Sequence, residues 1–261
     1  MLLHPESIPA EVLEWLPPDL ALREPRQGQT AAVAFVTGSP LVIKRARGPV
    51  YATWLEQEYR ALVALADADL PIPEAVGLHS MPASDGADCE AWLVMARLPG
   101  DPLTDVVARA QTTEARAEWY RQLGVLAARI HSAPIPAALK PDDPRRWLER
   151  VLERARKAPG RWVQKLVARF DRERSPDCPE TLIHGDLTID NVLADGETLT
   201  GIIDWGGAGP GDPRYDVTLA LSPPDDRRLE PEIVVAFLEG YGSHGLPTEL
   251  RAFFEHSYDL P

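Results

Sequence analysis

The sequence predicts an α+β chain of two lobes, a small strand-rich first lobe and a larger, mainly helical second one. Two observations carry this prediction. Short apolar runs punctuated by glycine and proline fill the first third, and long stretches with apolar residues at helical spacing dominate after Asp101. A third is the return of short β-like runs at about residue 181, inside the helical part. The expected division is residues 1–97, a hinge at 98–102 and a helical lobe at 103–261.

The first 20 residues hold a short helix at most, stopped by Pro17-Pro18. Three short strands follow, over about Leu20 to Pro25, Ala31 to Val36 and Leu41 to Arg45, separated by glycine or proline turn chemistry. TWLEQEYRALVALADA places Trp54, Leu55, Tyr59, Leu62, Val63 and Leu65 at the spacing of an amphipathic helix. LPIPEAV breaks it, and CEAWLVMARLPG reads as a buried strand ending at Pro99-Gly100. In TEARAEWYRQLGVLAARIHS, Trp119, Leu123, Leu126 and Ile130 form one helical stripe. RRWLERVLERARK and RWVQKLVARFDRER continue the helical pattern. TLIHGDLTIDNVLAD and LTGIIDWGGAGPGDPRYD then read as short β-like runs broken by polar turns, and EIVVAFLEGYG and TELRAFFEHSY as closing helices.

At 261 residues the chain can bury a sizeable core. Its composition, 44% hydrophobic and 26% charged, is that of a soluble globular protein. No apolar run reaches membrane-spanning length, and the first residues lack the basic and apolar regions of a secretory signal, so a cytoplasmic enzyme is expected. Cys89 and Cys178 make neither a disulfide framework nor a zinc-type spacing. Forty acidic against 27 basic residues, a formal charge of −13, argue against nucleic acid as partner and would attract a cationic small molecule. Oligomeric state is not legible in the sequence.

Chemistry concentrates in His184-Gly185-Asp186-Leu187-Thr188-Ile189-Asp190-Asn191, which fits H-x-D-L-x-x-x-N. A chance match in a chain of this length is on the order of one in a thousand at average residue usage. The spacing suits phosphoryl transfer, where a carboxylate orients the attacking hydroxyl and an amide oxygen a turn later binds a metal on the phosphates. Asp204 follows at the end of the apolar run LTGIID, just before a glycine-rich turn, a place suited to a hard cation such as Mg2+.

The stretch HGDLTIDNVLADGETLTGIIDWGGAGPGDPRYDVTLAL resembles the catalytic segment of the aminoglycoside phosphotransferase family, relatives of choline kinases and protein kinases. The resemblance implies a protein-kinase-like two-lobed fold, with Asp186 as catalytic base and Asn191 and Asp204 as magnesium ligands. It gives Asp216 a fold-supporting role and makes His184 a loop-holding residue. Lys44, in LVIK, matches the lysine that grips the α- and β-phosphates, and Glu58 matches the acid paired with it through E-x-x-x-L-x-x-L, with Glu56 as competitor. Gly28-Gln29-Thr30 resembles the short phosphate loop of the antibiotic kinases. AWLVMARLPG resembles the hinge that reads adenine through its backbone, with contacts at Ala96 and Leu98 and Met95 as a packing neighbour. His131, in AARIHS, matches a structural position. Trp205 stands where protein kinases carry Phe, and the ending HSYDLP departs from the acidic, aromatic tail of aminoglycoside 3'-kinases.

Other chemistries fit less well. Gly207-Ala208-Gly209-Pro210-Gly211 puts Asp212 where a dinucleotide fingerprint needs its third glycine, and no P-loop spacing exists. A hydrolase using His184, Asp186 and Asp204 would need further metal ligands from the other five histidines, which are scattered, or from other carboxylates. A non-catalytic nucleotide binder would not need Lys44, Glu58, Asp186, Asn191 and Asp204 together. The expectation is therefore an Mg2+-dependent kinase using ATP or GTP on a small hydroxylated acceptor. An aminoglycoside is the first guess, and an amino alcohol or a sugar comes second.

Overall fold

The computed structural model describes residues 3–25, 30–81, 89–142, 179–222 and 229–242, with single positions between 147 and 168. The chain folds as an α+β protein in two compact units, Met1–Pro99 with Thr200–Gly207, and Gly100–Leu199 with Ala208–Pro261. Among the described residues no helix is long and apolar enough to cross a membrane.

The first unit is built on a five-stranded antiparallel sheet of order β1-β2-β3-β5-β4. Its strands are β1 (Leu22–Arg23), β2 (Ala32–Val36), β3 (Leu41–Arg47), β4 (Ala75–Met81) and β5 (Glu90–Ala96). Alternation along β3 sorts the side chains onto two faces. Ile43, with Trp92 and Val94 from β5, buries against Leu3, Ile8 and Val12 of the amino-terminal segment, which includes the single-turn helix α1 (Ala10–Leu13). Lys44 points the other way, toward helix α2 (Pro49–Ala64).

Sequence reading starts α2 at Thr53, four residues late. Gly48, at φ 86°, and Pro49 in the first turn form the true start, proline being pre-shaped for that position. The helix buries Ala52, Leu55, Glu58, Ala61 and Leu62, whereas Trp54 and Val63, counted among its apolar positions, are exposed. Strand β4 was not expected at all. AVGLHSM lacks clean alternation and carries Gly77, yet it pairs with β5 from Met81↔Glu90 to Ala75↔Met95, with a register shift between Ala75 and Gly77.

In the second unit, helix α4 (Thr113–Ser132) follows α3 (Leu103–Arg109) and is capped by the Thr112 side chain, which accepts from the Ala115 N–H. Its buried stripe runs through Tyr120, Leu123, Leu126, Ala127 and Ile130; the ring in the core is Tyr120, and Trp119 is half-buried. The helical patterns of residues 145–174 fall mostly, and those of 248–258 wholly, outside the described residues. Short strands frame the motif region: β6 (Asp101–Pro102), β7 (Thr181–Ile183), β8 (Val192–Asp195), β9 (Thr198–Ile202) and β10 (Gly209–Gly211). β7 pairs with β10 and β6 with β8.

GDPRYD, expected to be a turn, opens helix α5 (Pro213–Ala220). Asp212 caps it by accepting from the Arg214 N–H, and Pro213 occupies its first position. The last described helix is α6 (Pro231–Tyr241), ended by Gly242 in the left-handed conformation.

Candidate active site

The motif residues form two clusters, one in each unit. In the first, Lys44 Nζ lies 2.7 Å and 3.0 Å from the two Glu58 oxygens and also donates to Asp204 Oδ1. Strand β3 supplies the lysine and the inward face of α2 the glutamate; both side chains are 7% exposed, whereas the Asp204 side chain is 45% exposed. Glu56 points elsewhere and accepts from the Ser80 hydroxyl at 2.7 Å. Burial, the largest single influence on Lys44, pulls its ammonium down, but the carboxylates of Asp204 and Glu58 outweigh it and hold the group above its ordinary value. Glu58 is pushed up, first by burial and further by the negative charge of Asp204, with Lys44 opposing. One ammonium thus serves two carboxylates, leaving a local excess of one negative charge.

Asp204 is the one described non-glycine residue with positive φ, at 64°. That conformation is costly for most side chains and tolerable for aspartate, and such residues cluster where a group must be aimed. The turn is held from below by the buried Trp205, whose indole N–H donates to the Ile202 carbonyl at 3.0 Å.

The second cluster is the loop after β7. Leu187, Ile189 and Val192 are buried and pin it, while the backbone turns through Thr188 N–H to Asp186 O (2.8 Å) and Asn191 N–H to Thr188 O (3.1 Å). The Asn191 amide nitrogen donates to the carbonyl and to Oδ2 of Asp186, each at 2.8 Å. With that nitrogen committed, Oδ1 is the atom Asn191 can offer a cation. His184 is fully buried, and its Nδ1 accepts from the Asp186 N–H at 3.2 Å. Asp216, also fully buried, accepts from the His184 N–H at 2.6 Å and the Gly185 N–H at 2.9 Å. Gly185 sits at φ 82°, a conformation glycine adopts without strain, and this turns Asp186 out of the β7 line.

Gly28 and Gln29 lie outside the described residues, and Thr30 is exposed in a bend. The Ala96 N–H donates to the Glu74 carbonyl at 2.8 Å, and the Leu98 side chain packs against Gly201, where an added Cβ would meet its Cδ1 at 2.2 Å. Sequence reading missed Tyr241, whose hydroxyl lies 2.8 Å from His131 Nδ1, as well as the contact of His131 Nε2 with Asp216 Oδ2 at 3.3 Å. No motif marks Tyr241; the pair is separated by 110 residues.

Comparison with known proteins converges on one group. A family model described as the phosphotransferase enzyme family matches residues 21–253. The chain is 31% identical over 210 residues to an aminoglycoside 3'-phosphotransferase of Streptomyces fradiae, covering 71% of this chain and 72% of that one. A homoserine kinase of Pseudomonas aeruginosa is 30% identical over 222 residues, covering 79% of this chain and 65% of the relative. Among solved structures, an aminoglycoside-3'-phosphotransferase of type VIII superposes with a TM-score of 0.69 at 26% identity, over 93% of this chain and 94% of that one.

Proposed function

The chain belongs to the phosphotransferase enzyme family, and from that premise we propose that it moves the γ-phosphate of ATP, or of GTP, to a hydroxyl of a small molecule, first of all an aminoglycoside. The observation that carries the reading is the Asp186 carboxylate, tied to Asn191 at 2.8 Å in a loop whose backbone is fixed by the buried Asp216.

In this reading Lys44 binds the α- and β-phosphates and Glu58 fixes its rotamer. With one ammonium between two acids, Lys44 stays charged throughout the working pH range. Asp186 takes the proton of the acceptor hydroxyl as its oxygen bonds to the γ-phosphorus; the bond from that phosphorus to the β–γ bridging oxygen breaks, and the nucleoside diphosphate leaves. The oxygen donors fit a hard divalent cation: Asp204 brings a half-exposed carboxylate and Asn191 its Oδ1. Held there, Mg2+ would neutralise charge on the phosphates. Thr30, with Gly28 and Gln29, is assigned to the phosphate end. At the adenine end, the Ala96 N–H already donates to the Glu74 carbonyl, and in this reading the base is met by the Ala96 carbonyl and the Leu98 N–H.

The homoserine kinase match, which spans more of this chain than the aminoglycoside relative does, supports a second reading in which the acceptor is a small hydroxylated metabolite such as an amino alcohol or a sugar. The test is a panel of aminoglycosides, homoserine, choline-like compounds and sugars with MgATP or MgGTP, following nucleotide consumption and acceptor mass. Acceptor-dependent consumption with a phosphorylated product is expected, and Asp186→Ala should lower kcat by roughly 10²–10⁴-fold with nucleotide affinity unchanged. Nucleotide hydrolysis indifferent to every acceptor, or transfer that survives Asp186→Ala, would remove the assignment.

A further inference from the structure

Helices α4 and α6 meet backbone to backbone. A Cβ on Gly124 would lie 2.1 Å from the Phe237 carbonyl oxygen, and one on Gly240 would lie 2.0 Å from that of Arg121. No residue larger than glycine fits either place unless the helices part. Arg121 reinforces the crossing by donating to Glu239 at 3.2 Å. This close approach seats Tyr241, the last residue of α6, against His131 near the end of α4, with ring centroids 5.5 Å apart at 80°.

From there a line of hydrogen bonds runs inward. A carboxylate only accepts, so His131 Nε2 carries the hydrogen that faces Asp216 Oδ2 at 3.3 Å. In the neutral ring Nδ1 is then the acceptor, and the Tyr241 hydroxyl donates to it at 2.8 Å, which enforces the same tautomer. Asp216 Oδ2 also accepts from the His184 N–H and Oδ1 from the Gly185 N–H, the two amides directly before Asp186. The His131 side chain is 6% exposed and that of Asp216 is 0% exposed, so water does not compete for these bonds. Packing does not require the hydroxyl: Tyr241 stacks on Phe237 with planes 14° apart, as a phenylalanine could.

We propose that Tyr241 and His131 are positioning residues for phosphoryl transfer, because they lock the rotamer of Asp216 and through it the backbone that aims Asp186. The inference rests on the assignment of Asp186 above. Three donors hold the Asp216 carboxylate in one orientation; loss of the imidazole leaves one backbone N–H on each oxygen and removes the side-chain bond that stiffens them. Turnover is sensitive to small displacements of a catalytic group, about 100-fold for 1 Å.

The test compares Tyr241→Phe, His131→Leu, His131→Gln and the double variant Tyr241→Phe/His131→Leu, reading kcat, both KM values, Tm and amide exchange at His184 and Gly185. Tyr241→Phe is expected to lower kcat about 5-fold and His131→Leu about 50-fold, with both KM values within about 2-fold. Exchange at the two amides should quicken in the same order. His131→Gln, whose amide nitrogen can donate where Nε2 does, should recover most of the loss, and the double variant should match His131→Leu. Unchanged kcat with lowered Tm would reduce the pair to packing. A raised acceptor KM at constant kcat would make Tyr241 an acceptor contact, and additive losses would break the chain into independent parts; each result overturns the inference. A wild-type chain that phosphorylates no acceptor defeats the functional assignment instead, and the exchange rates then decide: equal protection in all four variants would show that no such lock exists.

Discussion

Replacing Lys44 by methionine keeps the length of the side chain and removes its charge, which strands Glu58. That carboxylate is 7% exposed, and its donor at 2.7 Å and 3.0 Å is gone. Of the influences on its protonation, burial pushes the group up most and the Asp204 charge adds to it; Lys44 supplies the opposing charge, and the Asp204 backbone N–H is the donor that remains. In the variant Glu58 therefore escapes by taking a proton. The cost of that escape is set by the ordinary glutamate value of about 4.3, at about 1.4 kcal/mol per pH unit. Destabilisation is then at most about 4 kcal/mol at pH 7 and about 1 kcal/mol at pH 5. The sign follows from the raised folded value: the deficit is absent below pH 4.3 or so and grows as pH rises, until Glu58 ionises in the fold. Asp204 adds little to it, because its side chain is 45% exposed and water screens the charge it keeps.

Urea unfolding followed by tryptophan fluorescence measures this directly, since Trp92 and Trp205 are both buried in the same unit. The difference between Lys44→Met and wild type should widen from pH 5 to pH 7 by up to about 3 kcal/mol, less whatever the raised wild-type Glu58 already costs. Lys44→Met/Glu58→Leu removes both charges and should recover most of the stability at pH 7, as apolar replacements of buried pairs commonly do. A deficit of equal size at the two pH values, or a double variant no more stable than the single one, would refute the reasoning, because either result means that stranded charge is not the cause.

Three further outcomes are expected. Asp204→Asn keeps a side chain that tolerates φ 64° and should leave stability within about 1 kcal/mol; Mg2+-supported nucleotide binding, measured by calorimetry, should weaken roughly 30- to 100-fold, the equivalent of ~2–3 kcal/mol for a lost charged ligand. Asp216→Asn turns one amide N–H toward backbone donors and should destabilise by ~2–4 kcal/mol in urea, with loss of turnover. Gly240→Ala places a methyl 2.0 Å from the Arg121 carbonyl and should cost ~1–3 kcal/mol, read as a lowered urea midpoint.

The parts of this fold that were legible in the sequence are those whose signal is local. Proline and glycine separate β1, β2 and β3, and the unbroken apolar run of AWLVMA marks β5 as a strand buried on both faces. The failures are places where tertiary structure overrides pattern. β4 forms because β5 offers it a ladder, although its own residues alternate poorly. Trp54 and Val63 take the solvent while Glu58 takes the inward face of α2; the family resemblance gave the Lys44 pairing that makes this possible, and the spacing of apolar residues could not register it. At the candidate site, the loop that bonds Asn191 to Asp186 was legible because turn chemistry fixes their spacing along the chain. Tyr241 was not, since its contact with His131 depends on two helices crossing at Gly124 and Gly240.

Both clusters surround a buried acid with donors, and they do so by different means. Glu58 is compensated by a side chain, so both members of its pair can be exchanged together for apolar residues and the fold can tolerate the change. Asp216 is compensated by two backbone N–H groups and an imidazole, and a backbone donor cannot be mutated away. Any replacement at 216 that lacks two acceptor oxygens leaves at least one of those amides without its partner beside a fully buried position. Asp216 is therefore constrained by the loop whatever reaction the loop performs, whereas the presence of Lys44 and Glu58 together, at some risk to stability, calls for a function. An ammonium shared between a fixed buried acid and a half-exposed one is a poor way to hold a sheet against a helix and a good way to keep a cation aimed where an anionic ligand can reach it.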